Sequence, residues 1–158
     1  MNKTLGIYNR LAKMPFGKYI VSRALTFKAP YFGTIRPLII AAGHGSCTTE
    51  MRDRRAVHNH LGTIHAIAMC NMCELTGGLA IEFATPAHLR WIPKQMTVQY
   101  LKKAKGKLTA HSELKEKSLS LPSSNSFMAT WQRSHALMYS SLASSTVSSV
   151  DHSTLYPS

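Results

Sequence analysis

The sequence predicts an α+β fold in which one long apolar helix lies against an antiparallel sheet, with short helices ahead of both. Three observations predict it. Residues 63–84 carry an almost unbroken apolar helical pattern closed by Pro86. The segments on either side, 34–52 and 91–117, switch to the two-residue period of strands. At 158 residues the chain supports one ordinary core and not two.

Residues 3–14 place Leu5, Tyr8, Leu11 and Ala12 on one side of a short helix ended by Pro15 and Gly17, and a second helix follows over Lys18–Phe27. Both read as packing elements. From Thr34 to Arg52 β-branched residues surround Gly43-His44-Gly45, which reads as strand, turn and strand. In the long helix, Ile64, Ile67, Met69, Met72, Leu75, Leu79 and Ile81 cover nearly every angle, so it is buried on most sides by a sheet curved round it. Ala66, Ala68, Gly77 and Gly78 let that sheet approach. Further on, Met96, Val98 and Tyr100 alternate against Thr97, Gln99 and Leu101, Lys105-Gly106 supplies a turn, and Leu108, Ala110, Ser112 and Leu114 form the return strand. Residues 118–158 hold 14 serines, with one more strand expected around Ala129–Ser141. The organisation expected is a helical segment over 1–33, the main domain over 34–142 and a disordered serine-rich tail over 143–158.

Charge narrows the partners. Nineteen Lys and Arg against seven Asp and Glu give +12, and no acid precedes Glu50. Such a balance favours an anionic partner: nucleic acid, an acidic membrane surface, or a phosphate-rich group such as coenzyme A. Clusters of stacking aromatics, which a nucleic-acid module would use, are missing from the pattern. No run approaches the ~18 apolar residues of a membrane span. Three cysteines, Cys47, Cys70 and Cys73, have no secreted-scaffold spacing, which places the chain in a reducing compartment, the cytoplasm. Cys70-x-x-Cys73 sits inside the apolar helix and reads as core filling, so no metal site is expected.

Glu74 is the acid within that apolar helix, and a carboxylate there must be paired, shifted or put to use. Ahead of it His58, Asn59, His60, Gly62 and His65 crowd the helix opening, where unpaired N–H groups and the helix dipole favour negative charge. His65 and Glu74 are nine residues apart, half a turn out of phase at about 100° per residue. They therefore point to opposite sides of one helix. A two-fold dimer would let Glu74 of one copy face the helix opening of the other.

These residues resemble a known family. Asn59-x-x-Gly62-x-x-His65, an acid at the ninth position after His65 and then a glycine pair are similar to the helix-opening signature of hotdog-fold acyl-CoA thioesterases, and MTVQYLKKAKGKLTA resembles a strand of that family. More specifically, Arg54-Arg55-x-Val57-x-Asn59-His60-x-Gly62-Thr63-x-His65-Ala66, followed by RWIP, resembles an uncharacterised bacterial hotdog family, a domain of unknown function; the likeness spans about residues 30–117. The resemblance implies a central helix wrapped by a curved antiparallel sheet, assembled as a homodimer or a dimer of dimers with sites at the interface. It implies that Glu74 is the general base or nucleophile, that the Ala66 N–H is the oxyanion donor, and that Asn59 and His65 position water or the thioester oxygen. The family's His-Gly-Gly is His65-Ala66-Ile67 here, and Pro93 or Lys94 stands where many relatives have Ser or Thr.

The first expectation is thus an acyl-CoA thioesterase that needs no cofactor, coenzyme A being part of its substrate. Arg54, Arg55, Lys102, Lys103 and Lys105 are the candidates for the coenzyme A phosphates, set against the plainer role of a solvated lysine-rich turn. The alternative is a non-catalytic hotdog protein that binds acyl-CoA or a fatty-acyl group.

Overall fold

A computed structural model describes residues 3–93, 96–114, 129–130, 134–140 and 153–157. Two helices, α1 (Lys3–Leu11) and α2 (Gly17–Lys28), precede strands β1 (Leu38–Gly43) and β2 (Ser46–Met51). The long helix α3 (Ala66–Ala84) follows, then β3 (Leu89–Pro93), β4 (Leu108–Leu114), β5 (Ala129–Thr130), β6 (Ser134–Ser140) and β7 (Ser153–Pro157). The main sheet is antiparallel in the order β1-β2-β4-β6, and β3, β7 and β5 form a second, smaller one. This is the hotdog architecture: one helix laid along a wrapped antiparallel sheet.

The strand–turn–strand expected at residues 34–52 is β1 and β2, with Gly45 at φ 74 in the connecting turn. In β2 the inward residues Cys47, Thr49 and Met51 are fully buried, and they pair across the ladder with Ser112, Ala110 and Leu108 of β4, equally buried. Four of these six side chains are small, so α3 comes close to the sheet. The core follows α3 along its length. Met69, Met72 and Cys73 pack with Ile35, Met51, Val57, Ile64 and Leu108 near its start. Leu75, Leu79, Ala80 and Phe83 pack with Leu5, Tyr8, Ile39 and Cys47 near its end. At about 25 cal/mol per Å² of apolar surface removed from water, this seam is the main stabilising contribution. The helix is long and apolar enough to cross a membrane, but two-thirds of it is buried in this core.

One expectation is corrected and another refined. The long hairpin over 91–117 is not formed: its first arm pairs only over Leu89–Pro93, and residues 96–101 make no ladder. β4 already has β2 on one edge and β6 on the other, which leaves no free row of donors and acceptors for a hairpin partner. Met96 and Val98 still pack against the core, as their alternation implies.

The second concerns how α2 packs. It does pack, through the partly buried Val21 and Leu25 against the core around Tyr8, Ile39 and Phe83, but its most buried residues are Gly17, Ser22 and Thr26, and Tyr19, Ile20 and Phe27 are exposed. The reason lies at the edge of the sheet. Ser22 Oγ accepts the Ile39 N–H at 2.9 Å and Lys18 Nζ donates to the Ile40 carbonyl at 2.7 Å, so α2 turns polar groups toward β1 as well to satisfy it. The expected strand at Ala129–Ser141 is found as β6, paired with β4. The serine-rich tail lies outside the described residues except for Ser153–Pro157, which pairs with β3.

Candidate functional site

The opening of α3 is built by one tight loop. Asn59 Oδ1 accepts the N–H groups of Leu61 at 3.0 Å and Thr63 at 3.1 Å, its Nδ2 faces Thr63 Oγ1 at 2.8 Å, and Gly62 completes the turn at φ 67. The chain then threads between two partners: the Ile64 N–H goes to the Ala104 carbonyl and the His65 N–H to Val57, both near 2.8–2.9 Å. The helix therefore starts at Ala66, later than the expected Thr63, with His65 as its cap, the Nδ1 accepting the Ile67 N–H at 3.1 Å. An accepting Nδ1 puts the proton of a neutral imidazole on Nε2. The Ala66 N–H has no partner among the described residues.

Two clefts flank this opening. One, of about 330 Å³, lies against Asn59, Ile64, Ala66, Met69, Lys102 and Lys103. The other, of about 200 Å³, is lined by Thr34, Val57, His58, His65, Ile67 and Asn71. Of the residues singled out in the sequence, Asn59, Ala66, Lys102 and Lys103 thus come together in the larger cleft, and His65 stands across the helix in the smaller. Glu74 lines neither. It is half-buried two turns along α3, on the same stripe as Ile67 and Cys70, and has no hydrogen bond or ion pair among the described residues.

The remaining cations divide. The Arg54 guanidinium donates to the Thr34 carbonyl; burial, and then the charges of Arg36 and Arg23, push it below its ordinary value. Arg55 and Lys105 are exposed. Lys105 lies near Asp53, whose carboxylate meets His58 Nε2 and accepts the Gly106 N–H at 2.5 Å, tying the loop before α3 to the turn before β4.

Two polar groups at the clefts escaped the sequence reading. Asn71, 4% exposed, donates through Nδ2 to Thr34 Oγ1 at 3.1 Å, and that hydroxyl donates onward to the Tyr31 carbonyl, so the amide oxygen is the group left without a partner. A lone amide inside an apolar helix was the available signal. Tyr100 covers α3 from outside, its hydroxyl 2.6 Å from Cys70 Sγ and 3.3 Å from the Ala66 carbonyl. Burial, and then the Cys70 thiol, push its phenol up. Its alternation with Thr97 and Gln99 suggested only a strand.

Comparison with known proteins agrees with this architecture. The family described as a domain of unknown function, DUF4442, matches residues 17–146. A protein solved in a structural-genomics effort superposes with a TM-score of 0.71 at 28% identity, covering 97% of this chain and 95% of that one. A Pseudomonas aeruginosa protein of unknown function, named as a probable thioesterase, gives 0.75 at 19% identity, covering 92% and 97%. A thioesterase from Haemophilus influenzae gives 0.65 at 14%, covering 80% and 82%. No curated protein matches the chain.

Proposed function

The chain belongs to the DUF4442 family, a hotdog family of unknown function, and we propose that it hydrolyses an acyl thioester, an acyl-CoA, at a site shared between two copies. The observation that carries this reading is the Ala66 N–H at the start of α3, without a partner among the described residues and opening beside a cleft floored by Ile64 and Met69 and rimmed by Lys102 and Lys103. A thioester carbonyl placed there would accept the Ala66 N–H, aided by the positive end of the helix dipole, as negative charge grows on its oxygen. The apolar floor suits an acyl chain, and the two lysines suit the phosphates of coenzyme A.

Glu74 of a second copy supplies the base. It takes a proton from water, the hydroxide oxygen attacks the carbonyl carbon, and the tetrahedral intermediate collapses with cleavage of the C–S bond as the protonated Glu74 returns that proton to the departing sulfur, releasing the carboxylic acid and coenzyme A thiol. The position of Glu74 supports a second copy, because within one chain it lies two turns from the opening, on a stripe left partly uncovered. His65, with Nδ1 engaged at the cap, presents Nε2–H as a donor. Asn59 is a positioning residue here: its amide is occupied in shaping the loop that walls the cleft.

The specific test is Glu74→Ala assayed by thiol release from a panel of acyl-CoA esters, alongside thermal unfolding. Loss of turnover at an unchanged unfolding midpoint is expected; retained turnover sinks the mechanism. One observation favours a second reading, a non-catalytic acyl-CoA binder. Ala66 and Ile67 stand where thioesterases of this type carry glycines, and Ala66 itself lines the cleft that the thioester would enter. Wild-type protein that binds these esters without releasing thiol would establish that reading.

A further inference from the structure

Helix α2 packs Val21 and Leu25 against the core, yet its outer side is apolar as well. Ile20, Ala24 and Phe27 fall within about 60° of one another on the helical wheel, and all three face solvent, Ile20 at 54% and Phe27 at 91% exposure. Tyr19 flanks them at 56% exposure, under the guanidinium of Arg23 at 5.3 Å from its ring. Just ahead of the helix, Phe16 is 85% exposed and sits at φ 59, a left-handed conformation that bulky residues avoid. The helix needs its hydroxyls inward for β1, but nothing in the fold needs four large apolar groups outward. A single exposed apolar residue is ordinary, whereas a row of them along one helix marks an interaction face.

The electrostatics say what kind of partner fits. Residues 1–49 contain seven Lys and Arg and no Asp or Glu. Lys13 and Lys28, both exposed, stand near the two ends of α2. Arg23 and Arg36 are close enough for their charges to act on Arg54, and the Nε atoms of Arg23 and Arg54 are buried without a partner among the described residues. A second copy docked face to face here would set one acid-free, cationic stretch against another, unlike a pairing across α3. An apolar stripe with aromatic members, bordered only by cations, is the composition of a helix that lies on a lipid bilayer: the apolar groups enter the acyl boundary and the cations meet phosphate headgroups.

We propose that the face of α2 carrying Phe16, Tyr19, Ile20 and Phe27 docks the protein on an anionic phospholipid surface. The contact is peripheral and reversible, since one short helix offers few groups for insertion and most of the remaining attraction is screened by salt. It stands apart from the hydrolytic reading and requires no turnover.

Sedimentation of the full chain with vesicles of phosphatidylcholine, with and without phosphatidylglycerol, tests it. The wild type is expected to bind the anionic vesicles at least about tenfold more tightly than the neutral ones, with the difference fading as salt rises. The Ile20→Ser, Phe27→Ser double variant is expected to lose about tenfold or more in partition at an unchanged unfolding midpoint, because both side chains are already in water. Phe16→Gly is a second variant that removes an apolar anchor while relieving the left-handed backbone, so its vesicle binding falls as its stability holds or rises. Equal binding by wild type and double variant, or absence of binding by the wild type, overturns the proposal. So does a change in the sedimentation coefficient of the free protein on Ile20→Ser, Phe27→Ser, which would assign the face to self-association.

Discussion

The ring of Trp91 lies on the backbone of Gly78, so closely that a Cβ there would stand 2.7 Å from Trp91 Cη2 and 3.2 Å from Cζ2. The indole N–H holds the ring in place by donating to Glu82 Oε2 at 2.9 Å, one turn further along α3. Sheet residue and helix residue are thus locked by both packing and a hydrogen bond. An alanine at 78 would gain ~1 kcal/mol of helix propensity but would push the ring outward at a similar or larger cost. Gly78→Val lacks most of that gain and adds more bulk, so it is expected to destabilise the protein by ~2 kcal/mol. Measured by urea unfolding in a cycle with Trp91→Ala, the penalty should largely vanish once the ring is gone. A penalty unchanged in the Trp91→Ala background would show that the contact does not govern the position.

A second link between helix and sheet is polar. Thr76 Oγ1 donates to the Met72 carbonyl at 2.7 Å, so in its 2.6 Å contact with Thr49 Oγ1 it must be the acceptor. Both residues are fully buried. Thr76→Val therefore strands a buried hydroxyl on Thr49 and is expected to cost ~2 kcal/mol, whereas Thr49→Val removes only the donor and costs ~1 kcal/mol. The double variant should be less destabilised than the sum of the two. Additive losses in denaturant titrations would contradict the shared bond.

How much of this was legible in the sequence depends on whether the signal was local. The strand–turn–strand over 38–51 and the burial of Met69, Met72, Leu75 and Ile81 follow from periodicity, and the structure keeps them. The loop that Asn59 closes was visible as a polar cluster, though its hydrogen-bond roles were not, since they depend on Ala104 and Val57 meeting Ile64 and His65. Residues 96–101 alternate as a strand would, and what keeps them from pairing is β6, some thirty residues later. In the same way α2 looks like an ordinary amphipathic helix and packs as one through Val21 and Leu25, but only the unpaired edge of β1 explains why Ser22 faces inward and Lys18 reaches across to Ile40. Glu74 stood out at once as an acid in an apolar helix, while Asn71 and Thr76, equally polar, were hidden by being uncharged.

Asp53 gives the protein an acid-sensitive joint. The hydrogen bond from His58 lowers its carboxyl below the usual carboxylate range, partial burial works against this, and the Gly106 N–H adds to the lowering. A depressed pKa in the folded state means that the joint contributes above the unfolded value, near ~3.9, and its contribution is lost as pH falls through the folded value. Asp53→Asn should accordingly lower the unfolding free energy from urea titration at neutral pH, by no more than ~1 kcal/mol given the exposure of the pair. Wild-type and variant curves should converge in the acid range. Parallel curves from neutral pH to below pH ~3 would rule out this linkage.

Cysteine labelling reports on the stripe that holds Glu74. Burial pushes the Cys47 and Cys73 thiols up to about 12, so both stay protonated and shielded near neutral pH. Cys70 is only half-buried, one turn before Glu74 and against Tyr100. A disulfide reagent should therefore titrate one thiol in the native protein and all three in denaturant, and Cys70→Ala should abolish the native reaction. If two copies meet across this stripe to form a hydrolytic site, an adduct on Cys70 will also block the approach of Glu74 to the opposite helix opening. Turnover of acyl-CoA should then fall in step with labelling, and saturating substrate should slow the labelling. Full modification of Cys70 with undiminished turnover would place the reacting centre elsewhere, because a group added one helical turn from the proposed base could not leave it undisturbed.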